Sequence, residues 1–369
     1  MLGSRTSPYL QAKLVLLAAE HVFAHVPPLV ESLLGIRVST TQVYRRTQAA
    51  AKALPAAALD APCPVVSADP GPVYGMVDGS MLFTDTGWQE VKVGRIFQHC
   101  APISAPISAP ISAPISAPIS APISAPVSAP VSAPVSAPVS APASAPASAP
   151  VSAPVSAPVS APVSAPVSAP VSAPAGTMGP SQYVAQRGPF ATFTQRFEQA
   201  LPPDAAADQV FVTDGAQWIH HWLQDAYPHA THILDFYHVA EKLAAAAQVA
   251  DAPASWLPAQ YARLWAGQSP AVEQAVAGLP GLPAPVAAQL GAYLATNRTR
   301  LRYDQFRQRG LLCGSGPVEA AHRTLLQVRL KRSGQRWSNG GLDRLVRLRS
   351  ALKSPQMHLL TELFKKPTA

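Results

Sequence analysis

Between residues 101 and 174 the chain places proline at every fourth position. There are eighteen Ala-Pro-x-Ser units, in which x is Ile six times, then Val four, Ala two and Val six. Proline has no amide hydrogen and its ring collides with the preceding helical turn, so this stretch forms neither an α-helix nor an inner strand. Polyproline II or irregular chain remains, and a period of four gives no stripe on a helix of three residues per turn. Extended, it would reach on the order of 200 Å at roughly 3.1 Å per residue. P-x-x-P ligand spacing is absent, and the blocks of identical units read as duplication of a short coding tract within a loop. Such an expansion is tolerated because loop-closure entropy rises only logarithmically with length. Any core must come from the rest of the 369 residues, enough for one catalytic domain with accessory helices.

The formal charge of +8 is concentrated. Residues 298–349 hold twelve Arg and one Lys against Asp304, Glu319 and Asp343, a net +10, which leaves the remainder slightly acidic. A localised cationic stretch points to a polyanion, nucleic acid above all, against the plainer reading of a solvated helix face. Cys63, Cys100 and Cys313 make neither a zinc pattern nor a disulfide framework, which points to a reducing cytoplasm. The apolar run 14–19 is too short for a signal peptide, and Glu20 and His21 follow it. No run spans a membrane.

Residues 1–53 read as helical. Ser7-Pro8 starts a helix that Pro27-Pro28 interrupts, residues 29–34 form a second, Gly35 turns the chain, and Ser39 caps a third bearing Arg45 and Arg46. That outline fits either a helix-turn-helix or a plain helical hairpin. Residues 54–70 read as a Pro- and Ala-rich linker. Within 71–100, residues 73–77 form a short strand leading into Asp78. A turn follows at Asp85-Thr86-Gly87, then a strand alternating Val91, Val93 and Ile96 against Lys92 and Arg95, a β-hairpin. Within 175–244, strands are expected at 181–185, 209–213 and 231–234, with helices over 190–201, 218–226 and from His238. Residues 245–310 read as a helical insertion, and 311–369 as a helix over 318–332 carrying Glu319, then further basic helices. Antiparallel strands first and parallel strands later predict an α/β (α+β) fold, a mixed sheet flanked by helices.

Three acids stand in separate settings. Asp78 and Asp214 follow short apolar strands and precede glycine; Glu319 opens a helix that turns basic. Carboxylate oxygens are the ligands a hard divalent cation prefers, and three converging beside a cationic surface suit metal-assisted phosphodiester cleavage. Asp225 and Asp235 rival Asp214 for the second position. The glycines either admit a DNA backbone or simply make turns. His238 contacts a phosphate, positions Asp235, or is structural; His220-His221 lacks ligand spacing. Arg323, Arg329, Lys331, Arg332 and Arg336 are the candidate DNA contacts, with 329, 332 and 336 aligned if one helix carries them. Trp218, Trp222 and Trp337 read as packing residues, although Trp337 beside Arg336 could also stack on a base.

Four segments resemble, in order, the catalytic motifs of bacterial insertion-sequence transposases of the ISKra-like group. They are Val77-Asp78-Gly79 with Gly87-Trp88-Gln89-Glu90-Val91-Lys92-Val93-Gly94-Arg95, then Asp214-Gly215-Ala216-Gln217-Trp218-Ile219, then Leu234-Asp235-Phe236-Tyr237-His238. The last is Gly314-Ser315-Gly316-Pro317-Val318-Glu319 with the basic run 329–337. The resemblance implies a ribonuclease H-like core and a DDE transposase. Asp78, Asp214 and Glu319 would be catalytic and hold two Mg²⁺ (or Mn²⁺), with Asp235 and His238 beside them. Double-stranded DNA at element ends and targets would be the partner, bound by a homo-oligomer in the bacterial cytoplasm at the nucleoid. It also implies only a short loop where the 101–174 repeat stands. A catalytically inactive DNA-binding remnant of a decayed element is the alternative, and a Pro-rich spacer protein a weaker third.

Overall fold

A computed structural model describes residues 6–64, 71–100, 177–202 and 208–365. The repeat and residues 65–70 of the expected linker lie outside them. Five strands form one mixed sheet. They are β1 (Val73–Thr84), β2 (Gly87–Cys100), β3 (Thr177–Arg187), β4 (Gln209–Thr213) and β5 (Thr231–Leu234), in the order β3-β2-β1-β4-β5. The first three are antiparallel; β4 runs parallel to β1 and β5 parallel to β4. The expected hairpin is present, with Thr84 paired to Gly87 across Asp85-Thr86. The expected end of the first strand at Asp78 is corrected. β1 runs six residues further because Ser80, Leu82 and Thr84 stay buried on alternate positions while Gly79, Met81 and Phe83 face out.

The N-terminal region holds α1 (Pro8–Glu20), α2 (Val26–Leu34) and α3 (Thr40–Ala53). Ser7 and Ser39 cap α1 and α3 by accepting from Leu10 N and Gln42 N, and Gly35 ends α2 in the left-handed region at φ 64°. Pro27 and Pro28 do not break a helix; they sit at the start of α2, where a missing amide hydrogen costs nothing. The expected linker is partly packed: α4 (Ala56–Leu59) buries Leu59, whose carbonyl accepts from Gln182 Nε2 at 2.8 Å.

One face of the sheet is covered by α5 (Phe190–Ala200) and α6 (Gln217–Ala226), through Phe193, Phe197, Phe211 and Ile219. The other face carries two cores. Over the parallel strands, Tyr74, Met76, Val210, Val212 and Ile233 pack under α7 (Phe236–Val249) and the helices of the expected insertion. Those are α8 (Trp256–Trp265), α9 (Ser269–Ala277), α10 (Ala284–Thr296) and α11 (Tyr303–Gln308). The insertion therefore shares the sheet's own core. Over the hairpin, Leu82, Val91 and Val93 pack under the late helices and α1 and α3. The late helices are α12 (Gly316–Ala321), α13 (Val328–Leu330), α14 (Asn339–Lys353) and α15 (Met357–Glu362). The gap between these two cores is where Asp78 lies.

Candidate functional site

Strand register places the acids. Met76 pairs with Val212 and Thr213 with Leu234. Continuing both parallel ladders sets Asp78 opposite Asp214 by two residues and Asp214 opposite Asp235 by one. Successive parallel strands lie about 4.8 Å apart, so three carboxylates form a row across β1, β4 and β5. They point to the face that Met76, Val212 and Ile233 share. Each strand ends its parallel pairing at the row, where backbone amides are released to the side chains. Gly79 N donates to Asp78 Oδ1 (2.6 Å), Ala216 N to Asp214 Oδ1 (3.0 Å) and Tyr237 N to Asp235 Oδ1 (3.0 Å). The last bond makes Asp235 the N-cap of α7. Asp225, one rival for the second acid, lies at the exposed C-terminal end of α6, away from this row. Asp235, the other rival, belongs to the row.

Glu319 reaches the row through Ser315. The Ser315 hydroxyl lies 2.6 Å from Asp235 Oδ2 and 2.9 Å from Glu319 Oε1. A hydroxyl has one proton to donate, so it cannot serve two carboxylates at once. Asp235 is 1% exposed, and burial raises its pKa above the ordinary carboxylate value against the opposing pull of Ser315 and the backbone amides. The hydroxyl lies within hydrogen-bond reach of both carboxylates, and the Ser315 amide also donates to Asp235 Oδ1 at 3.3 Å. His238 Nδ1 lies 4.0 Å from Asp235 Oδ2.

His322 completes the site, and sequence reasoning missed it. It stands three residues after Glu319, and its Nε2 is 3.3 Å from Asp78 Oδ2 without the alignment of a hydrogen bond. It is 4% exposed, and burial holds the imidazole below its ordinary pKa while Asp78 opposes that shift. Burial likewise raises the pKa of Asp78; His322 and the Gly79 amide offset this, and Asp214 adds to it. The expected continuous helix over 318–332 is corrected. α12 passes at His322 into a π-helical segment, His322–Gln327, before α13. Wider turns of this kind recur at functional sites, and this one begins at the residue that meets Asp78. An acid followed by histidine at i+3 was the available signal, since that spacing shares a helix face.

The donor set is that of a hard divalent cation, but its arrangement does not fit one. Asp78 Oδ2 faces His322 Nε2 at 3.3 Å, and Glu319 accepts a hydrogen bond from Ser315. Among the described residues no group of three His, Cys, Asp or Glu side chains is placed to hold a metal ion. Gly215 has φ 86°, and a Cβ there would meet Leu234 and Tyr293, so this glycine serves a left-handed turn.

The basic residues divide. Arg323, Lys331, Arg332 and Arg336 are exposed. Arg329 is corrected: it is 1% exposed, donates to the Ala18 carbonyl and lies over the rings of Phe23 and Trp337. Burial lowers its pKa to about 10, and no phosphate can reach it. The helical alignment of 329, 332 and 336 is also corrected, because the helix ends at Leu330 and Gly334 turns the chain at φ 73°. Trp337 is buried, its indole donating to the Leu330 carbonyl. Trp222 lies among the aromatics of α5 and α6, whereas Trp218 is partly exposed beside Phe190.

No protein-family model matches this sequence, and no curated protein matches it. Among the described residues no helix is long and apolar enough to cross a membrane.

Proposed function

We propose that this chain is a DDE-type DNA transposase with a ribonuclease H-like core. It would hydrolyse a phosphodiester at the ends of an insertion sequence and join the freed 3′-hydroxyl to target DNA. The observation that carries this reading is the row itself. By continuation of the β1–β4 ladder, Asp78 on a central strand lies level with Asp214, just past the end of its parallel neighbour, and Glu319 on a late helix is linked to the same row through Ser315 and Asp235. The strand order β3-β2-β1-β4-β5, three antiparallel then two parallel, supports the fold that the resemblance implies.

The reading requires Mg²⁺ or Mn²⁺ on Asp78, Asp214 and Glu319, and such ions would supply activation of water and stabilisation of the leaving oxygen. The chain's own groups do the following. Arg323, one turn from Glu319, and the exposed Lys331, Arg332 and Arg336 bind phosphates of double-stranded DNA. His322 packs against Asp78 at 3.3 Å without a hydrogen bond, and the Asp235–Ser315 pair holds Glu319. His238, 43% exposed, stands between solvent and Asp235, in reach of an entering phosphate. Oligomers of identical chains would act on the two element ends in the bacterial cytoplasm.

The test is Mg²⁺-dependent nicking of the element's own ends by the wild-type chain and by Asp78→Asn. Loss of nicking in the variant, with folding and DNA binding kept, is expected; nicking that persists rejects the assignment. The second reading, a DNA-binding remnant without catalysis, is favoured by one observation: Asp78 and Glu319 are turned onto His322 and Ser315. Salt-sensitive DNA binding by a wild-type chain that nicks nothing would establish it.

A further inference from the structure

The tip of the β1–β2 hairpin exposes three large apolar side chains that the site does not use: Trp88 (59% exposed), Met81 (43%) and Phe83 (39%). The rings of Phe83 and Trp88 are 5.3 Å apart at 55°. Arg336 lies over the ring of Phe83 at 5.8 Å, so a guanidinium and an indole both neighbour the phenyl ring at the surface. The arrangement is built by the backbone. Asp85 N donates to the Trp337 carbonyl (2.8 Å), Trp337 N to the Phe83 carbonyl (3.2 Å), and Arg336 Nη2 to the Asp85 carbonyl (3.2 Å). These bonds stitch the segment carrying exposed Lys331, Arg332 and Arg336 onto the hairpin tip. Asp85 is the exposed acid in this patch; Glu90 is already paired with Lys92 at 2.7 Å.

Exposed aromatic planes interleaved with cations are what an unpaired nucleic-acid strand needs, since bases stack on the rings and phosphates meet the charges. A protein partner would match the apolar side chains but would need an acid set against Arg336, whereas a nucleic-acid strand carries a phosphate beside every base. Arg336 also borders a cleft of about 400 Å³ lined by Tyr44, Trp337 and Ser338, within the size range of small-ligand sites. We propose that the hairpin tip is a stacking platform for unpaired bases of single-stranded DNA, with Trp88 as the principal contact and Arg336 holding the adjacent phosphate. Phe83 points to the sheet face opposite Asp78. The strand held is therefore one passing round the tip, not the phosphodiester at the acid row. This inference rests on the reading of the chain as a DNA enzyme.

The experiment measures binding of a labelled oligo-dT strand and of an abasic strand of equal length, which has the same charge and no bases. Wild type is expected to bind oligo-dT more tightly. Trp88→Ala should weaken oligo-dT binding roughly tenfold, the size of one base–aromatic stack, and leave the abasic strand unchanged. Trp88→Phe should restore most of the loss, and the unfolding temperature should be the same in all three. Equal affinity of wild type for both strands, or unchanged oligo-dT binding in Trp88→Ala, overturns the proposal. So does a Trp88→Ala effect confined to self-association in sedimentation, which would make a second copy of the chain the occupant. Nicking lost in Asp78→Asn alongside unaltered oligo-dT binding in Trp88→Ala rejects the platform alone. A base-dependent Trp88 effect in a chain that never nicks rejects the transposase reading alone.

Discussion

The acid row and the basic segment are both charged regions read from sequence, yet they behave oppositely on folding. The carboxylates of the row stay together because each sits at the level where a parallel ladder ends. Register alone fixes them, and alternation decides their face. The arginines lie on helices and loops, where a long side chain reaches either solvent or the interior. Arg329 and Arg349 went inward. Arg349 is 0% exposed and donates to the carbonyls of Leu325, Thr324 and Ala19 and to the Glu20 carboxylate. Together with Arg329 on Ala18, it satisfies the carbonyls that α1 leaves unpaired at its C-terminal end. Two of the cations that suggested a nucleic-acid surface therefore anchor the N-terminal helices to the rest of the molecule. A strand counts residues in twos and cannot redirect a short carboxylate, whereas arginine composition says nothing about which guanidinium finds a carbonyl.

Four further measurements test that contrast. The largest effect is expected at the row: Asp214→Asn should lower nicking on the order of a thousandfold or more with little change in stability, as for one group in a transition-state constellation. Next, Arg349→Ala should destabilise by about 3 kcal/mol in urea unfolding, since it strands the buried carbonyls of Leu325, Thr324 and Ala19, while Glu20 keeps its pair with Lys353. Arg336→Ala, in contrast, should shift stability by no more than about 0.5 kcal/mol. Its signature should instead be weaker DNA binding, with the slope of log affinity against log salt reduced by about 1. If Arg336→Ala unfolded the chain and Arg349→Ala merely weakened DNA binding, the division drawn above would be reversed. The smallest effect belongs to Asp235. Its folded pKa is raised, so it favours the folded state below the ordinary carboxylate value of 3.8, and that contribution is lost as pH rises through the folded pKa. Asp235→Asn, which mimics the neutral acid, should flatten stability against pH over that window.

The legible parts of the molecule were those governed by short-range rules. Ser7 and Ser39 capped helices where they were expected, Asp85-Thr86 made the turn, and the parallel strands stopped beside Asp214 and Asp235. The illegible parts needed partners distant in sequence. His322 meets Asp78 across most of the chain, and Ser315 bridges two acids through a single hydroxyl. The extension of β1 past Asp78 depends on helices more than two hundred residues away that bury Leu82.

The pairing of β2 with β3 continues to His99 opposite Met178 and Cys100 opposite Thr177. The chain thus leaves the sheet for the Ala-Pro-x-Ser repeat and returns to it at facing positions of one ladder. Adding or deleting whole units moves neither end of that ladder, and doubling the length costs only about 0.6 kcal/mol. Replication slippage in the repeat tract would then meet almost no purifying selection through stability. Copies of this gene from sister lineages should differ in repeat number while agreeing at every strand, and the count would serve as a clock of recent divergence.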